Sequence, residues 1–387
     1  MTTNHNVDVA VVGGGVIGLA SAWRLAQRGV TVTVIDPAPA HGATHAAAGM
    51  LAPVSEVTYG EETLLRLGIE SLQRYPAFVD ELESATGQAV GLRGEGTLIL
   101  ATDAGDREML VELDVFQRQL GLSATVLTSR ECRSLEPMIS PDVRCGLLVE
   151  SDHSVDNRRL AAALLEIVQA AGVSVRRERV GSVVITNDVA TGVTLENGDS
   201  IAAGVIVLAA GPWSADLAGV PATARPAVRP VKGQILRMRA EGPLRLPEHS
   251  LRGLVNGREI YLIPRANGEL VVGATVEELG FDTTVRAGAV RELLRDARAV
   301  MPAVDELELV ETFAALRPGS PDNAPIIGTT ATEGLIVATG HFRNGILLAP
   351  ITADLVAAMV AGTLSAADRE LLDAVSPRRF DAAAMAR

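Results

Sequence analysis

The chain has 387 residues, 48% apolar and 21% charged, which is a globular composition too long for one ordinary core, so two domains are expected at about 100–200 residues each. Lys and Arg number 34 against 47 Asp and Glu, a formal charge of −13. That charge provides no long-range attraction for nucleic acid or an anionic membrane surface. Two Cys, Cys132 and Cys145, without a CxxC or a Cys/His cluster argue against a disulfide scaffold and an all-Cys metal site, and no metal is expected.

The N-terminus Met1–Asn6 carries no basic region, and the apolar run after it breaks at Gly13-Gly14-Gly15; neither a secretion signal nor a span is expected. The apolar stretch Ile351–Gly362 holds Asp354 and falls short of the roughly 20 residues a bilayer needs. A cytoplasmic location is the expectation.

In chain order, Val7–Val12 reads as a buried strand, Gly13–Gly18 as a glycine-rich turn, and Leu19–Arg28 as a helix closed by Gly29. Val30–Ile35 is a second buried strand ending in Asp36. Strand, glycine turn, helix, strand and acidic residue within about 30 residues make a dinucleotide-binding unit. Gly13 permits the tight turn, Gly15 the approach of backbone N–H groups to a pyrophosphate, and Gly18 the packing of helix on strand. Asp36 would accept both ribose hydroxyls and repel a 2′-phosphate, which disfavours NADP; the plainer reading is a turn residue before Pro37.

Further on, Glu61–Gly87 and Ala104–Gly121 read as amphipathic helices around a strand at Gly96–Ala101, and Asp156–Gly172 as a helix with Asp156 as N-cap. Strands follow at Val173–Val175 and Val180–Ile185, with a hairpin at Glu196–Asp199. Val205–Leu208, running into Gly211, resembles another sheet strand returning to the cofactor. From Pro226 the pattern becomes antiparallel, with strands at Gln234–Arg239, Glu259–Ile263 and Glu269–Ala274 and a helix Arg286–Met301 stopped by Pro302. The end returns to strand Leu335–Ala338, a second glycine turn Gly340–Gly345, and a helix tolerating Pro350 early.

None of the six His stands in a dehydrogenase constellation. A second glycine turn for the far end of an extended cofactor fits FAD. The start of the helix after it could stabilise negative charge on the flavin pyrimidine. Arg317, between Leu316 and Pro318, and Arg343, inside the second glycine turn, are odd places for solvent-seeking charges. A guanidinium fork binds a carboxylate bidentately. Arginines satisfying helix-end or interface carbonyls, and a plain core residue at Tyr261, are the alternatives.

Four segments, Val12–Gly18, Gly42–Pro53, Leu316–Gly328 and Gly340–Pro350, resemble the flavin-dependent D-amino-acid oxidase superfamily and, within it, the glycine oxidases of bacterial thiamine biosynthesis. The resemblance implies a Rossmann-type FAD-binding domain (1–60, 153–222 and 316–387) interleaved with an α+β substrate domain on an antiparallel sheet (61–152 and 223–315). It places Val16 and Ile17 at the pyrophosphate turn, and Asp36 with Pro37 at the ribose. Ala43, Thr44 and His45 would lie by the phosphates, Ala48, Gly49 and Met50 along the isoalloxazine, and Val180 by the adenine. His341, Phe342, Arg343, Asn344, Gly345, Ile346 and Leu347 would line the flavin. Arg317, Arg343 and Tyr261 would hold the substrate carboxylate, with Met50 beside it.

The implied activity is oxidation of glycine or another small amine, such as sarcosine or D-alanine, by hydride transfer to flavin N5 and reoxidation by O2. The imine would feed thiazole assembly, and the assembly would be a homotetramer. A sister sarcosine or D-amino-acid oxidase or dehydrogenase, and a non-catalytic flavin-binding protein, are the other readings. Glu259 stands where the family can have His, Val276 where some relatives have Met, and His45 where relatives often have Ser. Ala46 replaces the His of covalent relatives and no Cys lies near Arg317, so FAD is expected to be non-covalent.

Overall fold

The computed structural model describes residues 5–380; the outermost parts of the expected FAD-binding segments, 1–4 and 381–387, lie outside them. Two eight-stranded sheets organise the chain. The main path of the first runs Ile326–Thr329, Leu335–Thr339, Ser200–Leu208, His5–Val12, Val32–Ile35 and Ser174–Arg176. Of its five junctions all are parallel except the first, Ile326–Thr329 with Leu335–Thr339. Val9, Ala10 and Val11 are wholly buried, as a parallel strand covered on both faces requires. Strand Val189–Leu195 extends this sheet as an antiparallel neighbour of Ser200–Leu208, and Val180–Thr186 pairs antiparallel with Val189–Leu195 in turn.

The second sheet runs Glu308–Gly319, Arg229–Arg239, Glu269–Gly273, Arg258–Pro264, Ser250–Val255, Thr97–Ala101, Cys145–Val149 and Thr125–Thr128. All junctions are antiparallel except Ser250–Val255 with Thr97–Ala101. Helix Ala287–Val300 packs on it so closely that a Cβ at Gly253 would lie 2.2 Å from Val300.

The dinucleotide unit, the helices Glu62–Thr86, Ala104–Gln119 and Asn157–Ala170, and the Asp156 N-cap, which accepts the Arg158 and Arg159 N–H groups, stand where the residues predict them. Strands Cys145–Val149, Ser250–Val255 and Glu308–Gly319 were not anticipated. The second is interrupted by Arg252 and Gly253, which break an apolar reading.

Two expected domain limits differ from what the packing shows. Helix Glu62–Thr86, expected with the substrate domain, packs in the core of the first sheet: Tyr75 donates to the Ile346 carbonyl at 2.8 Å, and Phe78 meets Trp23 edge-on at 5.2 Å. The limit at 316 falls inside strand Glu308–Gly319, which pairs with Arg229–Arg239 up to Gly319.

Candidate active site

Residues of both sheets line one cavity of about 1530 Å³, larger than the roughly 300–1,000 Å³ of an ordinary small-ligand pocket. At one end, strand His5–Val12 stops at Gly13. There a φ of +111° and the 2.3 Å that would separate an added Cβ from the Ala209 carbonyl both require glycine. Helix Val16–Gln27 starts here with no acidic residue in its first turn, and Gly15, Val16 and Ile17 line the cavity. Asp36 lies beside them with Pro37, its carboxylate accepting the Gly14 and Ala38 N–H groups at 2.7 Å each. Ala43, Thr44, Val180 and Gly211 complete this end, and Thr44 Oγ1 accepts the Val16 N–H at 3.0 Å. A side-chain-free turn, a helix N-terminus and a carboxylate fit the adenosine-diphosphate half of a dinucleotide.

Ala48, Gly49 and Met50 form the middle of the wall. Gly49 has φ +73° and lies so close to Val155 that a Cβ would be 2.0 Å from its carbonyl oxygen.

Several expected residues stand elsewhere. Gly18 takes its expected packing role and is not in the cavity lining: it seats the helix on the turn, where a Cβ would fall 1.9 Å from the Gly13 carbonyl oxygen. His45 is not among the lining residues. Its ring packs against Phe313, with centroids 5.1 Å apart, and Nε2 lies 3.7 Å from Glu311. Burial, then the nearby Arg158, lowers its pKa to about 4. Asn344 and Leu347 also fall outside the lining: Asn344 is buried, and Leu347 sits in the first core, its carbonyl accepting from Ser71 at 2.6 Å. The helix expected after the glycine turn begins at Ala349, with Pro350 in its first turn, and a further helix, Ala366–Ala374, follows it. The 3₁₀ turn Phe342–Asn344 intervenes, and it is His341–Arg343 with Gly345 and Ile346 that reach the cavity.

The other end gathers the expected carboxylate-binding residues. Arg317 projects from strand Glu308–Gly319, its Nη1 donating to the Thr275 carbonyl at 3.1 Å. Tyr261, on strand Arg258–Pro264, is half-buried over Gly273, where a Cβ would fall 2.4 Å from its hydroxyl. Burial pushes the Tyr261 pKa up, opposed by the charge of Arg317 and by a hydrogen bond with it. Arg343 Nη2 donates to Glu61 Oε2 at 2.5 Å and to the Glu56 carbonyl at 3.3 Å. His341 is buried with Nε2 3.0 Å from Thr352 Oγ1, and burial lowers its pKa to about 3, so the ring is neutral.

Sequence reading missed Arg252, Glu56 and Glu61. Arg252 is 9% exposed and lies on the cavity wall, with Nη1 2.7 Å from Glu56 Oε1 and Nη2 2.7 Å from Glu259 Oε2. An arginine flanked by Leu251 and by Leu254-Val255 was the available signal. Glu259 thus partners a buried guanidinium, while Val276 is an exposed residue on the rim.

The model of the FAD dependent oxidoreductase family (DAO) matches residues 8–359. Glycine oxidase of Geobacillus kaustophilus is 35% identical over 360 residues, covering 92% of this chain and 93% of that one. The bifunctional protein ThiO/ThiG of Synechocystis is 35% identical over 379 residues, covering 96% of this chain but 54% of that protein, so the chain spans about half the length of that relative. The crystal structure of glycine oxidase from Geobacillus kaustophilus superposes with a TM-score of 0.87 at 34% identity, covering 94% of this chain and 96% of that one. The chain belongs to the DAO family of FAD-dependent oxidoreductases, and its cofactor is FAD.

Proposed function

We propose that the protein is a glycine oxidase, converting glycine, and other small amines such as sarcosine or D-alanine, to the imine, which water hydrolyses to the 2-oxo acid and ammonia, with O2 reduced to H2O2. One observation carries this reading. Arg317, Arg343 and Tyr261, remote in sequence, converge on one end of a cavity whose other end is a dinucleotide turn.

Each guanidinium has one Nη engaged by the protein, at Thr275 for Arg317 and at Glu61 for Arg343, which orients the remaining donors for a substrate carboxylate. Tyr261, with its pKa raised by burial, stays protonated and adds an O–H donor. Held by these groups, the substrate presents its α-carbon to the Ala48–Met50 side of the cavity, so catalysis here is positioning. When bound, FAD would supply the hydride-accepting and dioxygen-reducing chemistry. The amine reacts in its neutral form, and His341, neutral and bonded to Thr352, takes no proton.

The FAD-binding contacts named above, non-covalent attachment, a homo-oligomeric assembly and a cytoplasmic location belong to the same proposal. Among the described residues no single helix is long and apolar enough to cross a membrane. The imine would supply the thiazole of thiamine, a reading supported by relatives in which the matching half is joined to a second one under the name ThiO/ThiG. Arg343→Ala is expected to retain FAD and lose turnover of glycine; full turnover in that variant contradicts the assignment.

A further inference from the structure

Behind the middle of the cavity wall lies a buried polar network that the proposed reaction does not use. Asn157, wholly buried at the start of helix Asn157–Ala170, donates Nδ2 to the carbonyls of Thr44 at 2.7 Å and His45 at 3.1 Å. Its Oδ1 accepts from Arg237 Nη2 at 3.2 Å and Arg265 Nη2 at 3.3 Å. Arg265 is 4% exposed; its Nη1 donates to the Val155 carbonyl at 2.8 Å, and its Nη2 also donates to the Ala48 carbonyl.

Both arginines come from the second sheet. Arg237 lies on strand Arg229–Arg239, and Arg265 directly follows Arg258–Pro264, the strand that carries Tyr261. Apart from that of Val155, the carbonyls they control, directly or through Asn157, belong to Thr44, His45 and Ala48, in the segment whose Thr44 and Ala46–Met50 line the cavity. The arrangement is costly for mere adhesion, because the Nε atoms of Arg237 and Arg265 are buried without a partner. Apolar side chains commonly hold two layers together at least as well as buried ions do. A planar fork bridging carbonyls from separate segments does what apolar contacts cannot, which is to fix their separation and direction.

We propose that Arg265, with Arg237 and Asn157, is a positioning residue that sets the Ala48–Met50 wall, and hence the flavin, relative to the sheet bearing Tyr261 and Arg317. The network fixes the gap between the substrate's α-carbon and the cofactor. Misplacement by about 1 Å at a reacting centre costs on the order of 100-fold in rate.

The rate arm of the test rests on the glycine-oxidase reading; the FAD arm does not. Arg265→Met and the milder Arg237→Gln and Arg265→Lys are purified, stripped and titrated with FAD, and the visible circular dichroism of bound FAD is recorded. Anaerobic reduction by glycine is then followed in a stopped-flow instrument. The expected result for Arg265→Met is an FAD Kd raised about tenfold or more, an altered dichroic band, and a limiting reduction rate at least tenfold lower. The glycine concentration at half-saturation should change less than threefold, because the carboxylate grip is untouched. Arg265→Lys and Arg237→Gln should fall between that variant and the parent, which keeps the test decisive if Arg265→Met does not fold. Lower thermal stability in the variants that fold, with FAD affinity, dichroism and limiting rate unchanged, overturns the proposal. If the parent itself is not reduced by glycine, the substrate reading fails, and FAD affinity and dichroism still decide the positioning claim.

Discussion

Arg317 lies across the face of Gly233, its Nη1 2.2 Å from where a Cβ on that residue would stand. The pair arises from register: Val231 opposes Arg317 and Gly233 opposes Ala315 in neighbouring antiparallel strands. The guanidinium can lie flat along the sheet toward the cavity only because the strand beside it carries no side chain at that point. Gly233→Ala therefore displaces Arg317 without touching the cofactor end. Steady-state kinetics should show kcat/KM for glycine lowered about 100-fold, with flavin content unchanged.

Gly18 makes the opposite prediction. An added Cβ would stand 1.9 Å from the Gly13 carbonyl oxygen, forcing helix Val16–Gln27 off the turn proposed to meet the pyrophosphate. Gly18→Ala should purify without its yellow colour, or bind FAD at least 100-fold more weakly by titration. A variant with parental flavin content would show that the helix start is not the anchor.

Glu61 holds Arg343 at 2.5 Å while Asn323 Nδ2 holds Glu61 at 2.7 Å. Glu61→Ala frees the guanidinium to sample other rotamers, and a lost charged hydrogen bond is worth about 1.5–3 kcal/mol. The expected outcome is a KM for glycine raised about tenfold with little change in kcat, partly recovered in Glu61→Asp.

Two buried groups set opposing pH responses of stability. Burial lowers the His341 pKa from 6.5 to about 3; between those values the unfolded chain binds more protons, so this group makes stability rise with pH. Burial raises the Asp152 pKa from 3.8 to about 7, although the Val54 and Ser55 N–H groups reach its carboxylate. Between those values the folded chain binds more protons, so this group makes stability fall with pH. The two nearly cancel where they overlap. Relative to the parent, Asp152→Asn should gain stability as pH rises from 4 to 7, and His341→Gln as pH falls from 6.5 to 4, each by up to about 1.4 kcal/mol per pH unit. Melting curves of the apoprotein across that range test both signs.

The parts legible from sequence are those whose physical demand is local. The turn at Gly13 and the packing glycine Gly18 sit within one strand–helix unit, and Arg317 and Arg343 betray themselves as charges in apolar surroundings. What escaped depends on pairing between remote strands. Gly233 has no evident purpose until Arg317 is laid beside it, and Arg252 none until Glu56 and Glu259 flank it. His45 was expected at the phosphates, but its direction is decided by Glu311 and Phe313 of the other sheet. Helix Glu62–Thr86 is amphipathic enough to be found, yet only the first-sheet core shows which layer it covers.

The most direct test of the central claim is anaerobic addition of glycine to the FAD-loaded protein, with sarcosine and D-alanine in parallel. The account predicts that glycine bleaches the visible flavin band and that admitting oxygen restores it, with release of about one peroxide per flavin. A flavin that stays oxidised with all three amines would contradict it.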